Sequence, residues 1–485
     1  MQLLQTAVYC IPINKMYAFQ IALWPDKSLL KKKIKVLFTI ALTIAVGYFV
    51  LVFKDSQLTG VRAPYIQMLT SESVVIHWLT EDIQHGVVRF SEERRHLATI
   101  KLEGSATKNH IVKLSDLKPG TRYYYQTGKT DGFNAFDPEK HWFYTHPEKV
   151  VPIRVWVIGD TGAVGETLYQ VRDAALEWMI ENPLNTKQNN TKPNYDDNTP
   201  LINVWISLGD LAYPSGNNDQ FQSALFEPFE DIMANTVLWP VYGNHDDRRW
   251  TYFRIFTLPE NAEVGGVASY TENYYSIDYS NAHFVMLDSQ ASSLSAMGKM
   301  ANWLKNDLAQ NTKPWLIAAV HHPPYTKGTH DSDAIFDSYG RMRYMRKNII
   351  PILEQAGVDL VLSGHSHMYE RSYLMDCAYD QSSAFSPANI VSTGVNNNHQ
   401  HFIKSQNKPA HQGTVFVVAG SASKVDNGPV DHPAHHVGLL EAGSMVIDIN
   451  NNKLLARFIN HSGLVRDTFS ITKDDTYISA YQGCN

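Results

Sequence analysis

The sequence predicts an all-β module followed by an α/β domain, and three observations carry that reading. Residues 57–147 hold short runs rich in β-branched and aromatic residues, separated by turn residues. From about residue 150, short and nearly continuous apolar runs recur, as strands buried on both faces do. Helical stripes lie between those runs, and alternating strands and helices mark an α/β domain.

The 485-residue length calls for two or three folding units. With 44% hydrophobic and 19% charged residues, the bulk is ordinary globular protein rather than disordered chain. A formal charge of −6 supplies no basic face, so no nucleic-acid partner is expected. Three cysteines, Cys10, Cys377 and Cys484, are too few for a disulfide framework. Outside the cytoplasm Cys377 and Cys484 could pair.

The uncharged run VLFTIALTIAVGYFVLVF occupies residues 36–53. As a helix it would reach about 27 Å, close to a bilayer core. Lys27, Lys31, Lys32, Lys33 and Lys35 precede it, and only Lys54 follows closely. The positive-inside rule then places residues 1–35 in the cytoplasm and the rest outside. The expectation is a transmembrane signal-anchor at 36–53, a membrane partner through that segment, and an extracytoplasmic remainder. The alternative is a cleaved signal sequence and a secreted protein, although no small-x-small cleavage site precedes Lys54.

In the β module, SVVIHWLT (73–80) and GVVRFS (86–91) read as strands. HIVKLSDLKPGTRYYYQTG (110–128) reads as strand, Pro-Gly turn and strand with alternating tyrosines. This pattern is all core and turn and carries no chemistry. In the second part seven strands stand out, beginning near residues 154, 202, 237, 283, 315, 358 and 414. Residues 166–182 place Leu168, Val171, Ala175 and Trp178 on one helical stripe. Residues 300–310 and 345–357 also read as helices, the latter interrupted by Pro351. The Asn-rich stretch 182–200 reads as a surface loop with a glycosylation sequon at Asn189, and a second sequon lies at Asn460.

Five of these strands end in metal-type residues: Asp160, Asp210, Asn244-His245-Asp246, His321-His322, and His365 with His367. In open α/β sheets ligands bind beyond the carboxyl ends of the strands. Glycines 159, 209, 243 and 364 precede four of the clusters and are expected to let the backbone turn there. Carboxylates and imidazoles together suit first-row metals. Two such ions about 3.5–4 Å apart can clamp a phosphoryl group, and one carboxylate can bridge them.

Read in order, GD-x-G, GD-x-x-Y, GNH-D, VHHP and GH-x-H resemble the five-block signature of the metallophosphoesterases. The tyrosine of the second block narrows the resemblance to purple acid phosphatases. That family also carries a fibronectin-like N-terminal domain, and the Leu117–Gly120 turn followed by Tyr123–Tyr125 resembles a fibronectin-III hairpin. The resemblance implies a fibronectin-III-like sandwich over 57–147. It implies a calcineurin-like catalytic domain over 150–475, with two mixed sheets flanked by helices. Asp160, Tyr213 and His367 would hold iron(III), Asp210 would bridge, and Asn244, His321 and His365 would hold a divalent iron, zinc or manganese. Generic relatives have a histidine where Gly162 stands here, and Tyr213 supplies a hard anionic replacement. His245 would face substrate with Asp246 orienting it, and His330 in the YTKGTH loop would do likewise.

The implied activity is acid phosphatase: hydrolysis of small phosphate monoesters by a metal-bound hydroxide. The rivals are a phosphodiesterase or nucleotide pyrophosphatase using the same metals, and a surface binding module with a relic catalytic domain. His322 and Asp288 read as structural. Glu370 and Arg371 read as a supporting ion pair. His432, His435 and His436 read as solvated histidines of a loop.

Overall fold

The computed structural model describes residues 27–55, 58–184, 200–246, 249–396, 399–406, 410–477, 481 and 483–484. The chain divides into two compact units at Gln57/Leu58. In the first, Lys27–Asp55 is helical. Among the described residues no helix is long and apolar enough to cross a membrane. This overturns the transmembrane span expected at 36–53 and the membrane-anchored localisation built on it.

The second unit opens with two small antiparallel sheets. One holds Arg62–Gln67, Val74–Gln84 and Thr107–Leu114; the other is built on Gly86–Ser91 and Arg122–Lys129. Tyr123, Tyr125 and Thr127 are buried while Tyr124 and Gln126 are not, which is the period of two that alternating tyrosines announce. The Tyr123 hydroxyl accepts the Lys118 N–H at 2.9 Å and pins the Pro-Gly turn. These sheets pack on the rest of the unit. Tyr125 donates to the Ala234 carbonyl at 2.7 Å and Tyr65 to that of Ile255 at 2.8 Å.

Two mixed sheets follow. An eight-stranded sheet contains the parallel strands Ile153–Ile158, Val204–Ser207 and Leu238–Pro240. A seven-stranded sheet contains the parallel strands Ala282–Leu287, Trp315–Val320, Leu360–Ser363 and Val415–Ala419. Strand Trp315–Val320 shows why its sequence is apolar throughout. Trp315, Ile317 and Ala319 enter the core shared with the other sheet, while Leu316, Ala318 and Val320 pack with Met300 and Leu304 of helix Lys299–Gln310. Helix Glu166–Glu181 buries Leu168, Val171 and Ala175 as its stripe predicts. Pro351 begins a short helix, Ile350–Gln355, after a wide π turn over Met345–Ile349.

Two expectations need correction. Glu370 and Arg371 do not pair with each other, because adjacent residues of strand Tyr369–Ser372 point to opposite faces. Arg371 binds Asp467, whereas Glu370 accepts from Thr326 and lies 3.1 Å from His435 Nδ1. The histidines 432–436 are not uniformly solvated: His432 is buried, and burial depresses its pKa to about 2, while His436 is exposed. The amide of Asn460 is engaged, accepting from Ser462 and Leu464 and donating to Glu441, so that sequon is built into a turn. Asn189 and Cys10 lie outside the described residues. Cys377 and Cys484 are disulfide-bonded, and Asp288 ties the 290–292 turn through Gln290 and Ala291.

Candidate metal centre

The five strands that end in metal-type residues deliver them to one place. Asp160 follows Ile153–Ile158, Asp210 follows Val204–Ser207, Asn244 follows Leu238–Pro240, His321 follows Trp315–Val320, and His365 and His367 follow Leu360–Ser363. The donors converge across the two sheets. His321 Nε2 lies 2.9 Å from Asn244 Oδ1, 3.2 Å from His365 Nδ1 and 3.4 Å from Asp210 Oδ1. Tyr213 Oη lies 3.0 Å from His367 Nε2 and 3.4 Å from both Asp160 Oδ1 and Asp210 Oδ2. Asp160, Asp210 and His321 form a buried floor, while Tyr213, Asn244 and His245 are half-buried at the mouth.

Each imidazole has one nitrogen anchored outward and one aimed inward. His321 Nδ1 binds the Leu208 carbonyl at 2.7 Å, His365 Nε2 binds Ser338 Oγ at 2.6 Å, and His367 Nδ1 binds Asp426. Such outer partners are how proteins fix the tautomer and direction of ligating histidines. The Leu208 carbonyl holds a proton on His321 Nδ1, so its Nε2 presents a lone pair. That lone pair faces the carboxylate, amide and imidazole acceptors around it with no donor to match. Acceptors gathered face to face, buried and without protons between them, fit a cation.

Burial and the crowding of like charges set the titration directions. Burial, and then Asp160 and Asp210, raise the Tyr213 phenol well above its ordinary value. Burial also raises the Asp210 carboxyl, with His321 opposing and Asp160 adding to the rise. Burial and the neighbouring histidines hold His365 well below its usual value, so it stays a neutral lone-pair donor. For His367 burial works downward, but Asp160 and Asp426 carry it above the usual value.

Backbone strain sits on the candidate ligands themselves. Asp160, Asp210 and His365 have φ of 58°, 55° and 68°, a left-handed region that non-glycine residues enter rarely and chiefly at functional sites. Apart from Gly209, with φ of +90°, the preceding glycines do not make the turn. They allow close approach: a Cβ on Gly364 would stand 2.5 Å from Asp160 Oδ2, and one on Gly243 would collide with the Asp210 backbone nitrogen and Oδ1. Gly243→Ala is therefore expected to displace Asp210 and reduce metal content without removing any side-chain donor. Metal analysis of the folded variant checks this, and full occupancy would refute it.

All seven predicted ligand positions meet here, with both predicted substrate-side histidines beside them. His245 stands edge-on to Tyr213 with ring centroids 4.6 Å apart, its Nδ1 2.8 Å from the Pro214 carbonyl. His330 stacks on His365 at 3.9 Å and is held by Asp337 through Nδ1 at 2.8 Å. Asp246 does not orient His245. Its carboxylate accepts the backbone N–H groups of Asp210, Leu211 and Gly243 at 2.9–3.0 Å and so shapes the loop that presents Asp210. His322 is buried against Ser289 at 2.7 Å and against His365, consistent with a structural role. The anchors Ser338 and Asp426 escaped sequence reasoning. Asp426 could have been suspected, since it follows strand Val415–Ala419, which ends at the same edge.

Comparison with known proteins agrees with this geometry. Residues 153–369 match the family model described as calcineurin-like phosphoesterase. The chain is 30% identical over 279 residues to purple acid phosphatase 21 of Arabidopsis thaliana, covering 54% of this chain and 53% of that protein. It is 26% identical over 348 residues to purple acid phosphatase 22 of the same plant, covering 66% and 69%. The chain thus spans about half the length of the first relative. Among solved structures, the purple acid phosphatase PPD1 from yellow lupin (Lupinus luteus) seeds superposes with a TM-score of 0.63. That match covers 87% of this chain and 77% of that one at 16% identity, a likeness of fold.

Proposed function

We propose, of a chain that belongs to the calcineurin-like phosphoesterases and is related to the purple acid phosphatases, that it is a binuclear-metal acid phosphatase hydrolysing small phosphate monoesters. One observation carries the reading: three outward-anchored imidazoles aim their inner nitrogens into a space shared with Asp160, Asp210, Tyr213 and Asn244. Asp160, Tyr213 and His367 would hold iron(III). Asn244, His321 and His365 would hold a divalent iron, zinc or manganese. Asp210 is suited to bridge, because one carboxylate oxygen faces His321 and the other faces Tyr213. Two metal ions so held supply positive charge to phosphoryl oxygens and acidify water.

The chain's own groups do the rest. His245 keeps its Nδ1 proton on the Pro214 carbonyl and leaves Nε2 for a phosphate oxygen or the departing alkoxide. Asp337 orients His330 above His365, where it can meet the substrate. The complete donor set favours an enzyme over a relic domain. We further read residues 57–147 as a fibronectin-III-like module and 150–475 as the catalytic domain. Strands Arg62–Gln67, Val74–Gln84 and Thr107–Leu114 on one sheet support the former; an experimental structure with another strand order would remove it.

Tyr213 tests the iron assignment. A phenolate on iron(III) absorbs in the visible, so the purified protein is expected to be coloured. Tyr213→Phe keeps the ring and is expected to abolish the colour and weaken iron binding, with activity surviving in part. A colourless wild-type protein holding only zinc or manganese would refute the iron assignment and leave the phosphoesterase reading standing.

A further inference from the structure

A second cluster of metal-type donors lies at the end of helix Ile350–Gln355, built from Asp376, Cys377, His411 and Cys484. His411 Nδ1 stands 3.1 Å from Asp376 Oδ1, 3.5 Å from Cys484 Sγ and 3.9 Å from Cys377 Sγ. Cys377 Sγ stands 3.3 Å from Asp376 Oδ1. His411 Nε2 lies 3.1 Å from Gln355 Oε1, an acceptor that can hold the ring proton on Nε2 once a cation takes Nδ1. Nδ1 itself faces a carboxylate and two sulfurs. Asp376 is fully buried and also lies against Glu354, whose own burial and the Asp376 charge hold its carboxyl well above the usual range.

A tetrahedral zinc ion with bonds of about 2.3 Å to sulfur and about 2.0 Å to nitrogen or oxygen sets its ligand atoms roughly 3.3–3.8 Å apart. Four of the six edges, at 3.1–3.9 Å, straddle those values. The sulfur–sulfur edge is shorter because it is a covalent bond.

We propose that reduction of the Cys377–Cys484 disulfide converts this cluster into a metal site of the zinc class, ligated by Cys377, Cys484, His411 and Asp376. A phosphine reductant makes the balance explicit. The sulfur–sulfur bond breaks, two electrons pass to sulfur, and the phosphine becomes a phosphine oxide with oxygen from water. Two thiols form, and metal binding releases their two protons. Thiolates select zinc over the harder ions that carboxylates favour, so the site differs in kind from the strand-end centre, whose donor set contains no sulfur. The disulfide ties Cys484 to the residues beside helix Ile350–Gln355 when oxidised, and the metal does so when the bond is open.

Cobalt(II) is the probe, because thiolate-to-cobalt charge transfer in the near ultraviolet arises only where sulfur is a ligand. Full-length protein reduced with a phosphine is expected to develop this band with one equivalent of cobalt, and oxidised protein is not. His411→Ala and Asp376→Asn are each expected to weaken cobalt binding by roughly tenfold or more, with circular dichroism unchanged. With the strand-end centre already loaded with metal, added zinc is expected to raise the melting temperature of reduced wild type above that of equally treated Cys484→Ser. The proposal is overturned if excess cobalt gives no band. It is overturned equally by the same band and affinity in both variants, or by a reduced chain that unfolds and is not restored by zinc. Phosphatase activity does not enter these readouts, so the two readings fail separately.

Discussion

Turnover by the Asp210→Asn variant is expected to fall by several orders of magnitude, with loss of metal and a retained fold. Asp210 reaches both halves of the centre: one oxygen lies 3.4 Å from His321 Nε2 and the other 3.4 Å from Tyr213 Oη. Asparagine has nearly the same shape but no charge, and it replaces one acceptor oxygen with an N–H₂ donor. If the amide oxygen keeps the His245 backbone N–H, which Asp210 Oδ1 now accepts at 2.7 Å, the amino group faces the phenol side. The other rotamer turns it on the lone pair of His321. Either way one metal loses its shared anionic oxygen, and each factor of ten in rate corresponds to about 1.4 kcal/mol of lost stabilisation. The fold should survive, because Asp246 rather than the Asp210 side chain secures the loop through the N–H groups of Asp210, Leu211 and Gly243. Metal analysis, circular dichroism and steady-state kinetics on one preparation decide the matter. Near-wild-type turnover with both metals bound would remove Asp210 from the bridging position.

The convergence of Asp160, Asp210, Asn244, His321, His365 and His367 was legible in the sequence because strand ends are legible, whereas Tyr213 was legible only through the family resemblance. Apolar runs locate the strands, the residues after them fall at one edge, and five edges offering Asp, Asn and His have few uses besides a metal. What holds the donors was not legible. His367 meets Asp426 across 59 residues and His365 meets Ser338 across 27, contacts that no local pattern encodes. The left-handed backbone of Asp160, Asp210 and His365 was invisible for the opposite reason. Propensity assigns such conformations to glycine, and the neighbouring glycines other than Gly209 serve close packing instead. Glu370 and Arg371 show that proximity in sequence misleads on a strand, where neighbours face apart. The N-terminal run shows that composition alone overstated a span that the described helix does not support.

His245→Ala is expected to keep both metals and lose roughly 10²–10⁴-fold in kcat, the usual size of an acid–base contribution. The imidazole is absent from the inward-facing donors. Its Nδ1 is taken by the Pro214 carbonyl at 2.8 Å, and only its backbone N–H touches Asp210, a contact alanine retains. The ring packs edge-on against Tyr213, so removing it opens the mouth while leaving the floor of Asp160 and His321 intact. What disappears is a polar nitrogen beside the place where the leaving oxygen must accept a proton. The loss should therefore depend on that oxygen. An alkyl phosphate, whose alkoxide is strongly basic, should suffer most. Nitrophenyl phosphate, whose phenolate leaves without help, should suffer least. A loss equal for both substrates would assign His245 to binding phosphate rather than to proton transfer. Loss of metal from the folded variant would place it among the ligands instead.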